Sequence, residues 1–244
     1  KSFFNSQGCA TGAGIAINIF KHVFLNYKLD ESPEKVLEHE KLRYKGGRTE
    51  VFKKEFNNPN KKLHYFDINS SYPSSMTEEM PYKYINTVKY SKNKILELDE
   101  VIKFNGYYCK IEYKGDNKFY IPNILTRTKE GDIIATNNTD FSWHWGVEVI
   151  EAIKNGCEVI YNEIERYEPK EIFKRYSQYF YNERLKIKET NESKATFYKL
   201  LLNSLYGKFG QKRFTHKEIV NNSEEMYNLL GQNDKLINWQ LINN

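Results

Sequence analysis

Strand-like and helical segments are grouped along this chain instead of alternating, and this grouping limits the folds open to it. Residues 80–167 carry mostly strand patterns, whereas residues 170–189 and 194–206 have the spacing of two helices joined by the polar turn TNES. Runs of strands followed by runs of helices are typical of α+β proteins. The sequence therefore predicts an α+β fold that contains a helical hairpin.

Individual elements can also be predicted from the pattern. Apolar residues between 12 and 26 have helical spacing, residues 30–40 are polar enough for a connector, and residues 63–68 (LHYFDI) have a strand pattern. A helix is expected to open at Tyr72-Pro73, because proline is favoured in the first helical turn. The remaining predicted elements are a hairpin of residues 107–113 and 119–125 around GDNK, a helix over 145–156 ended by Gly156, a strand over 157–164, and a short helix near 224–230.

Composition excludes several classes of protein and leaves nucleic-acid binding open. The 244 residues carry a net charge of +5 and 15% of them are aromatic, which suits both nucleic-acid binding and an ordinary core and surface. No apolar stretch approaches the length of about 18 residues that a membrane span needs. The sequence lacks a P-loop, a GxGxxG turn, a GxSxG elbow and an HExxH pair. The scattered cysteines, Cys9, Cys109 and Cys157, disfavour a disulfide framework or a zinc ribbon.

The segment Asp67-Ile-Asn-Ser-Ser-Tyr-Pro73 is the first candidate for chemistry. A carboxylate at the end of a strand supplies a hard oxygen ligand to Mg²⁺, and free N–H groups at the following helix start can accept phosphate oxygens. Taken alone, however, an aspartate in this position more often serves as a turn or cap residue.

Two further segments place polar groups on helical faces. Lys199, Asn203 and Tyr206 share one face of the second predicted helix, and Arg184 and Lys188 share a face of the first. If TNES closes an antiparallel hairpin, the three cations converge on one wall suited to a triphosphate. The competing interpretation is an ordinary amphipathic helix ended by glycine beside a solvated, lysine-rich face.

Together, these segments resemble the polymerase region of family B DNA polymerases, specifically the protein-primed branch. DINSSYP is similar to the first polymerase motif, DxxSxYP, and KLLLNSLYG is similar to the second, KxxxNSxYG. YKGG at residues 44–47 resembles the YxGG segment between the exonuclease and polymerase domains. ATGAGIAINIFK resembles the segment that closes the exonuclease domain. The resemblance implies a partial palm with an antiparallel sheet, helical-hairpin fingers and a β-rich insertion.

The resemblance also implies a role for each matching residue. Asp67 would hold catalytic metal through its carboxylate and Ile68 through its carbonyl. Tyr72 would select deoxyribose by excluding a 2′-hydroxyl. The other residues implied to bind nucleotide are Ser70, Ser71, Arg184, Lys188, Lys199, Asn203 and Tyr206, with Lys199 also counted as catalytic. The residues implied to contact DNA are Tyr44, Gly46, Gly47, Ser204 and Gly207, with the YKGG segment meeting either the template or a priming protein.

The implied reaction is addition of deoxynucleotides to a 3′ end or to a protein primer, with two Mg²⁺ ions assisting in-line phosphoryl transfer. The implied partners are template and primer DNA, a deoxynucleoside triphosphate and a terminal protein, in replication of a viral or plasmid linear DNA. The sequence identifies no compartment, since a viral host cell and a mitochondrion both fit.

The resemblance also implies a division of the chain into five parts. Residues 1–40 form the end of an exonuclease domain and a connector, residues 41–79 form palm, and residues 80–167 form an insertion resembling the terminal-protein region. Residues 168–210 form fingers, and residues 211–244 form the start of a second insertion or a return to the palm.

One expected motif is missing from the sequence. An Asp-Thr-Asp hairpin should follow the second motif, but Asp234 lies in GQNDKLIN and Asp140 lies ahead of the second motif. The second carboxylate of the metal site is therefore absent from these residues. We expect the chain to be a piece of a longer polymerase, cut at both ends, that does not polymerise alone.

Two other functions stay open at this point. The chain could be a non-catalytic remnant that binds only DNA or a terminal protein. It could also come from a family B polymerase of the nucleic-acid-primed kind, although YKGG and the long insertion between the two motifs disfavour that reading.

Overall fold

The computed structural model describes residues 11–115, 122, 124–128 and 132–210. The first helix, α1 (Gly12–Ile19), starts at Thr11, whose side chain accepts a hydrogen bond from the Gly14 amide, and it continues into a π-helical turn over Phe20–Phe24. This confirms the helix predicted for 12–26.

The predicted connector over 30–40 is wrong in part, because α2 (Glu34–Arg43) occupies most of it. Its side chains His39 and Arg43 find partners on the sheet, and these contacts stabilise a helix that the polar pattern did not predict.

The strand predicted over residues 63–68 is not present. The segment pairs with no other described segment, and Leu63, Tyr65 and Phe66 are 76%, 91% and 87% exposed. A strand needs a partner for its backbone hydrogen bonds, and an apolar alternating pattern does not supply one. The helix predicted to open at Tyr72-Pro73 is confirmed as the short α3 (Ser71–Ser75).

Four antiparallel strands form the main sheet, in the spatial order β1-β6-β2-β5. Their bounds are Met80–Ile95 for β1, Gly106–Tyr113 for β2, Ser142–Trp145 for β5 and Cys157–Lys170 for β6. A separate pair consists of β3 (Ile124–Arg127) and β4 (Ile133–Thr136). The β-rich character of this region and the strand after Gly156 are confirmed, with β6 extending to Lys170.

The hairpin predicted around GDNK has different partners from those expected. In the described residues β2 pairs with β5 and β6, whereas β3 pairs with β4. The two runs have strand character, but the turn signal between them does not decide which strands meet. Residues 116–121 and 123, which include most of the predicted turn and second strand, lie outside the described residues, as does the helix predicted near 224–230.

The helix α4 (Gly146–Lys154) crosses from β5 to β6, and Gly156 follows it with φ +83, a conformation that favours glycine. Val149 and Ala152 of α4 are fully buried against Ile111 and Val159 of the sheet, which form one core. The predicted helix ended by Gly156 is thus confirmed.

A second core lies among the helices. The helical hairpin consists of α5 (Lys174–Ile187) and α6 (Glu192–Phe209), and the Asn191 side chain caps α6 by accepting from the Lys194 amide at 2.9 Å. Phe20, Tyr176 and Leu202 pack in this core with α1 and α3. The α+β class, the antiparallel sheet and the helical hairpin are confirmed. Within the described residues, no helix has the length and apolar character that crossing a bilayer requires.

Candidate functional site

The segment leading into α3 presents polar groups to solvent while its apolar residues anchor it. Pro73 and Met76 are buried, and Met76 packs in the helical core. Ser70 is in the left-handed region with φ 55 and ψ 41, so the chain turns sharply between Asp67 and the helix. The Asp67 side chain is exposed, as a ligand for an external group must be. Since α3 has five residues, its N–H groups offer less to a phosphate than the predicted helix start implied.

Helix α6 has the polar face that its spacing predicts. Lys199 and Asn203 are exposed and Tyr206 is half-buried, whereas Leu202 and Leu205 are almost fully buried in the helical core. The leucines fix the rotation of the helix, because turning the polar face inward would expose them. A cation, an amide and a phenol therefore project from one side of α6.

Three tyrosines from separate parts of the sequence meet at the end of this face. The Tyr206 ring lies 5.1 Å from the Tyr72 ring and 5.7 Å from the Tyr44 ring, measured between centroids. We call Tyr44, Tyr72 and Tyr206 the tyrosine cluster. A Cβ atom added to Gly47 would lie 2.9 Å from the Tyr72 hydroxyl oxygen, so glycine allows this close approach. The cluster joins the YKGG, DINSSYP and KLLLNSLYG segments in one place.

The environment of the tyrosine cluster keeps the Tyr206 hydroxyl protonated. Burial, together with the neighbouring Tyr44 and Tyr72 side chains, raises the pKa of Tyr206 to about 12. The hydroxyl is therefore a neutral hydrogen-bonding group at physiological pH. The cluster offers ring surfaces for stacking, and its Tyr206 hydroxyl adds no negative charge near a polyanion.

The cations predicted to meet a triphosphate differ from the neighbouring lysines of the hairpin. Lys186 pairs with Glu183 at 2.6 Å and Lys174 pairs with Glu171 at 2.7 Å. In contrast, Arg184, Lys188 and Lys199 have no carboxylate partner within the described part of the chain. Helices α5 and α6 do pack side by side, as the predicted hairpin requires. The convergence of the three cations on one ligand stays a prediction.

Two of the predicted DNA-contacting glycines face open space. A Cβ atom added to Gly46 or Gly207 would find no other described residue within 4 Å, its chain neighbours and, for Gly207, the surrounding helix backbone aside. Neither residue has the positive φ that favours glycine over other residues. Packing within the described chain therefore leaves room for a methyl group at both positions. Ser204, the other predicted DNA contact on α6, is half-buried.

Sequence reasoning missed the buried charges beside Tyr44. The Arg43 guanidinium has no exposed surface and donates to Glu165 at 2.6 Å, while Lys45, 7% exposed, pairs with Glu148 at 2.8 Å. No local signal in the sequence could have found them, because Arg43 ends α2 and both carboxylate partners lie more than 100 positions further along the chain.

The described residues hold no group of three or more His, Cys, Asp or Glu side chains placed to bind a metal. Asp67 can contribute one carboxylate. Mg²⁺ often binds through one or two carboxylates and substrate phosphates, so Asp67 fits as one part of such a site and does not complete it.

Comparison with known proteins identifies the family to which these motifs belong. A family model described as DNA polymerase type B, organellar and viral, matches residues 1–238. The chain belongs to this family. The sequence motifs that resemble a family B polymerase are thus confirmed as marks of a type B polymerase of the organellar and viral kind.

Two fungal relatives of this type B polymerase chain are named probable DNA polymerases. The one from Podospora anserina is 33% identical over 181 residues, which cover 72% of this chain and 14% of the relative. The one from Ascobolus immersus is 33% identical over 194 residues, which cover 76% of this chain and 15% of the relative. The chain therefore spans a small part of the length of these relatives.

Solved structures of phi29 DNA polymerase share the fold of the type B polymerase chain. An orthorhombic crystal form matches with a TM-score of 0.56 at 19% identity, covering 83% of this chain and 36% of phi29 polymerase. A ternary complex with primer-template DNA and incoming nucleotide matches with a TM-score of 0.55 at 22% identity, covering 82% and 36%. These likenesses extend the family assignment to the three-dimensional fold.

Proposed function

We propose that this chain forms the nucleotide- and template-binding part of a DNA-directed DNA polymerase that adds deoxynucleotides to a 3′ end or to a protein primer. The observation that carries the proposal is the tyrosine cluster. It joins three segments that lie far apart in the sequence, beside the exposed polar face of α6. Membership of the organellar and viral type B family supports the same reaction, in replication of a viral or plasmid linear DNA.

The tyrosine cluster is the proposed floor of the nascent base-pair pocket. Tyr72 is 46% exposed and contacts Tyr206, so one side of its ring is supported and the other is free for a sugar. A ring in this position excludes a 2′-hydroxyl by steric contact and so selects deoxyribose. Asn203 extends the pocket along α6 from Tyr206.

Phosphate binding is assigned to three cations of the helical hairpin, of which Lys188 and Lys199 are exposed and Arg184 is half-buried. Arg184, Lys188 and Lys199 have no carboxylate partner among the described residues, so their charge is available to a polyanion. Ser70 and Ser71 approach the phosphates through a hydroxyl or a backbone amide. Positive charge at the leaving pyrophosphate stabilises the transition state of phosphoryl transfer, with Lys199 in the catalytic role.

Metal binding is assigned to the carboxylate of Asp67 and the carbonyl of Ile68. Bound Mg²⁺ would supply charge neutralisation at the reacting phosphoryl oxygens. The sequence contains no Asp-Thr-Asp motif after the second motif, and the described residues hold no group of three or more side chains placed to bind a metal. The isolated chain is therefore expected to bind substrates without extending a primer.

DNA contacts are assigned to Tyr44, Gly46, Gly47, Ser204 and Gly207. The open space beside Gly46 and Gly207 supports close passage of a nucleic-acid backbone at both positions. The β-rich insertion of residues 80–167 is the proposed docking region for a terminal protein. Phi29 polymerase, which shares the fold, forms a ternary complex with primer-template DNA and incoming nucleotide.

A primer-extension assay on the full-length polymerase that contains this chain tests the proposal. Asp67→Ala should abolish synthesis while leaving primer-template binding largely intact, because it removes a metal ligand and no DNA contact. Asp99→Ala is the matched control, since Asp99 is also exposed but lies in a 3₁₀ turn next to the sheet. Synthesis that survives Asp67→Ala would contradict the metal assignment. Binding without synthesis by the unaltered protein would support the non-catalytic alternative.

A further inference from the structure

Tyr44 directly follows the last residue of α2 and lies between two cations, Arg43 and Lys45, that are paired in the sheet region. Its backbone is extended, with φ −70 and ψ 117, where α2 ends. Arg43 and Lys45 contact β6 and α4, whereas the Tyr44 ring packs against Tyr206 on α6. The sheet and α4 lie on the side of the two cations. The segment thus runs between the sheet and the helical hairpin.

Three contacts hold this segment to the sheet region. Arg43 donates to Glu165 of β6 at 2.6 Å, and Lys45 donates to Glu148 of α4 at 2.8 Å. Arg127 of β3 donates to the backbone carbonyl of Tyr44 itself at 3.0 Å. We call these three contacts the Tyr44 clamp. The partner residues come from three different elements. Two contacts fix the residues on either side of Tyr44, and the third fixes the Tyr44 backbone.

Burial of the charged side chains in the Tyr44 clamp favours a single position of the segment. The side chains of Arg43 and Glu165 are completely inaccessible, and Lys45 is 7% exposed. Moving the segment would separate buried charges from their partners, which is strongly unfavourable. The two residues after Lys45 are glycines without side chains to anchor. The sheet therefore decides where Tyr44 lies, and the contact with Tyr206 depends on it.

We propose that Glu148, Glu165 and Arg127 are positioning residues of the polymerase site, acting through Tyr44. They hold the Tyr44 ring against Tyr206, so that template binding depends on a sheet that does not itself touch the nucleotide. The inference rests on the proposed function, which gives Tyr44 and Tyr206 their roles at the template and the base pair.

The test uses the 244-residue chain and compares Glu148→Gln with Glu151→Gln. Both glutamates lie on α4, but Glu151 is exposed and pairs with the exposed Lys154. Each substitution is made alone and together with Tyr44→Ala. The readouts are the ring-proton NOE between Tyr44 and Tyr206, the dissociation constant for a labelled primer-template, and the urea unfolding midpoint as a check on folding.

The clamp predicts that Glu148→Gln abolishes the NOE and weakens primer-template binding by about tenfold, which lies within the range by which a residue without ligand contact alters binding. In the Tyr44→Ala background the same substitution should change binding by less than about twofold, because effects through a shared residue do not add. Glu151→Gln should change neither readout. If Glu148→Gln unfolds the chain, Arg127→Lys at its half-buried position tests the same contact, since a lysine lacks the planar donor group.

An NOE that persists in Glu148→Gln, or an equal loss of DNA binding with and without Tyr44, would overturn the positioning role. Failure of the proposed function gives a different result. If the unaltered chain does not bind primer-template at all, the template-binding role of the tyrosine cluster is wrong, while the NOE comparison still decides whether the clamp holds Tyr44.

Discussion

Replacing Gly207 by alanine should change the stability of the folded chain and its affinity for DNA in opposite directions. Gly207 lies in the last turn of α6, and a Cβ atom added there meets no atom within 4 Å in the described part of the chain outside its own helix turn. Alanine is a better helix former than glycine by about 0.5–1 kcal/mol in a helix interior, and the last turn should show the lower end of that range. For a chain of this size, about 0.5 kcal/mol corresponds to a rise of about 1–2 °C in the melting temperature.

Binding of primer-template is expected to change in the opposite direction. If the nucleic-acid backbone passes against Gly207, a methyl group overpacks the contact at a cost of about 1–3 kcal/mol, or about five- to 150-fold in the dissociation constant. Thermal unfolding followed by circular dichroism and fluorescence anisotropy of a labelled primer-template measure the two effects on the same preparation. A gain in stability together with a loss of DNA affinity is the signature of a glycine kept free for the ligand.

Gly210→Ala provides the matched control three residues further on. A Cβ atom at Gly210 would overlap the ring of Tyr44, so this substitution should lower the stability of the folded chain by about 1–3 kcal/mol. Unchanged DNA affinity in Gly207→Ala would refute the assignment of Gly207 to a DNA contact. Lower stability in Gly207→Ala would refute the packing argument on which the assignment depends.

Two further predictions concern Tyr72 and Glu148. Tyr72→Val should reduce the preference of the full-length polymerase for deoxynucleotides over ribonucleotides by about tenfold or more, and unchanged discrimination in single-nucleotide incorporation assays would rule out Tyr72 as the sugar-selecting residue. Burial alone would raise the pKa of Glu148, but the His144 side chain and the Lys45 ammonium outweigh it and lower the pKa to about 2. Because the folded pKa is depressed, the stability from this carboxylate is fully present above pH about 4.5 and is lost as the pH falls toward 2, by up to about 3 kcal/mol. Urea unfolding of Glu148→Gln should therefore depend less on pH in this window than the unaltered chain, and an equal pH dependence would contradict the assignment.

The helical hairpin and the face of α6 could be predicted because their signals are local. Leucines and polar residues alternate in α6 with the period of a helix, and Asn191 provides a cap at its start. The order of the three motifs then indicated that distant segments meet. Contact between Tyr72 and Tyr206 agrees with that expectation.

Contacts between residues far apart in the chain could not be predicted from the sequence. Arg43 and Lys45 belong to a run that looks like a solvated basic surface, yet their carboxylate partners lie 122 and 103 positions further along the chain. Nothing local distinguishes a cation that is buried against a distant glutamate from one in solvent. The strand predicted at 63–68 failed for the related reason that a strand depends on a partner, and its own pattern does not reveal whether one is present.

The central claim is that the YKGG, DINSSYP and KLLLNSLYG segments form one site for template and nucleotide. Selective ¹³C labelling of tyrosine rings in the 244-residue chain tests it, with signals assigned by Tyr44→Phe, Tyr72→Phe and Tyr206→Phe. Addition of primer-template and then of the complementary deoxynucleoside triphosphate should shift the signals of all three rings. Tyrosines of the sheet core, such as Tyr107, should keep theirs. Shifts confined to tyrosines outside the cluster, or no shift at saturating DNA and nucleotide, would contradict the claim.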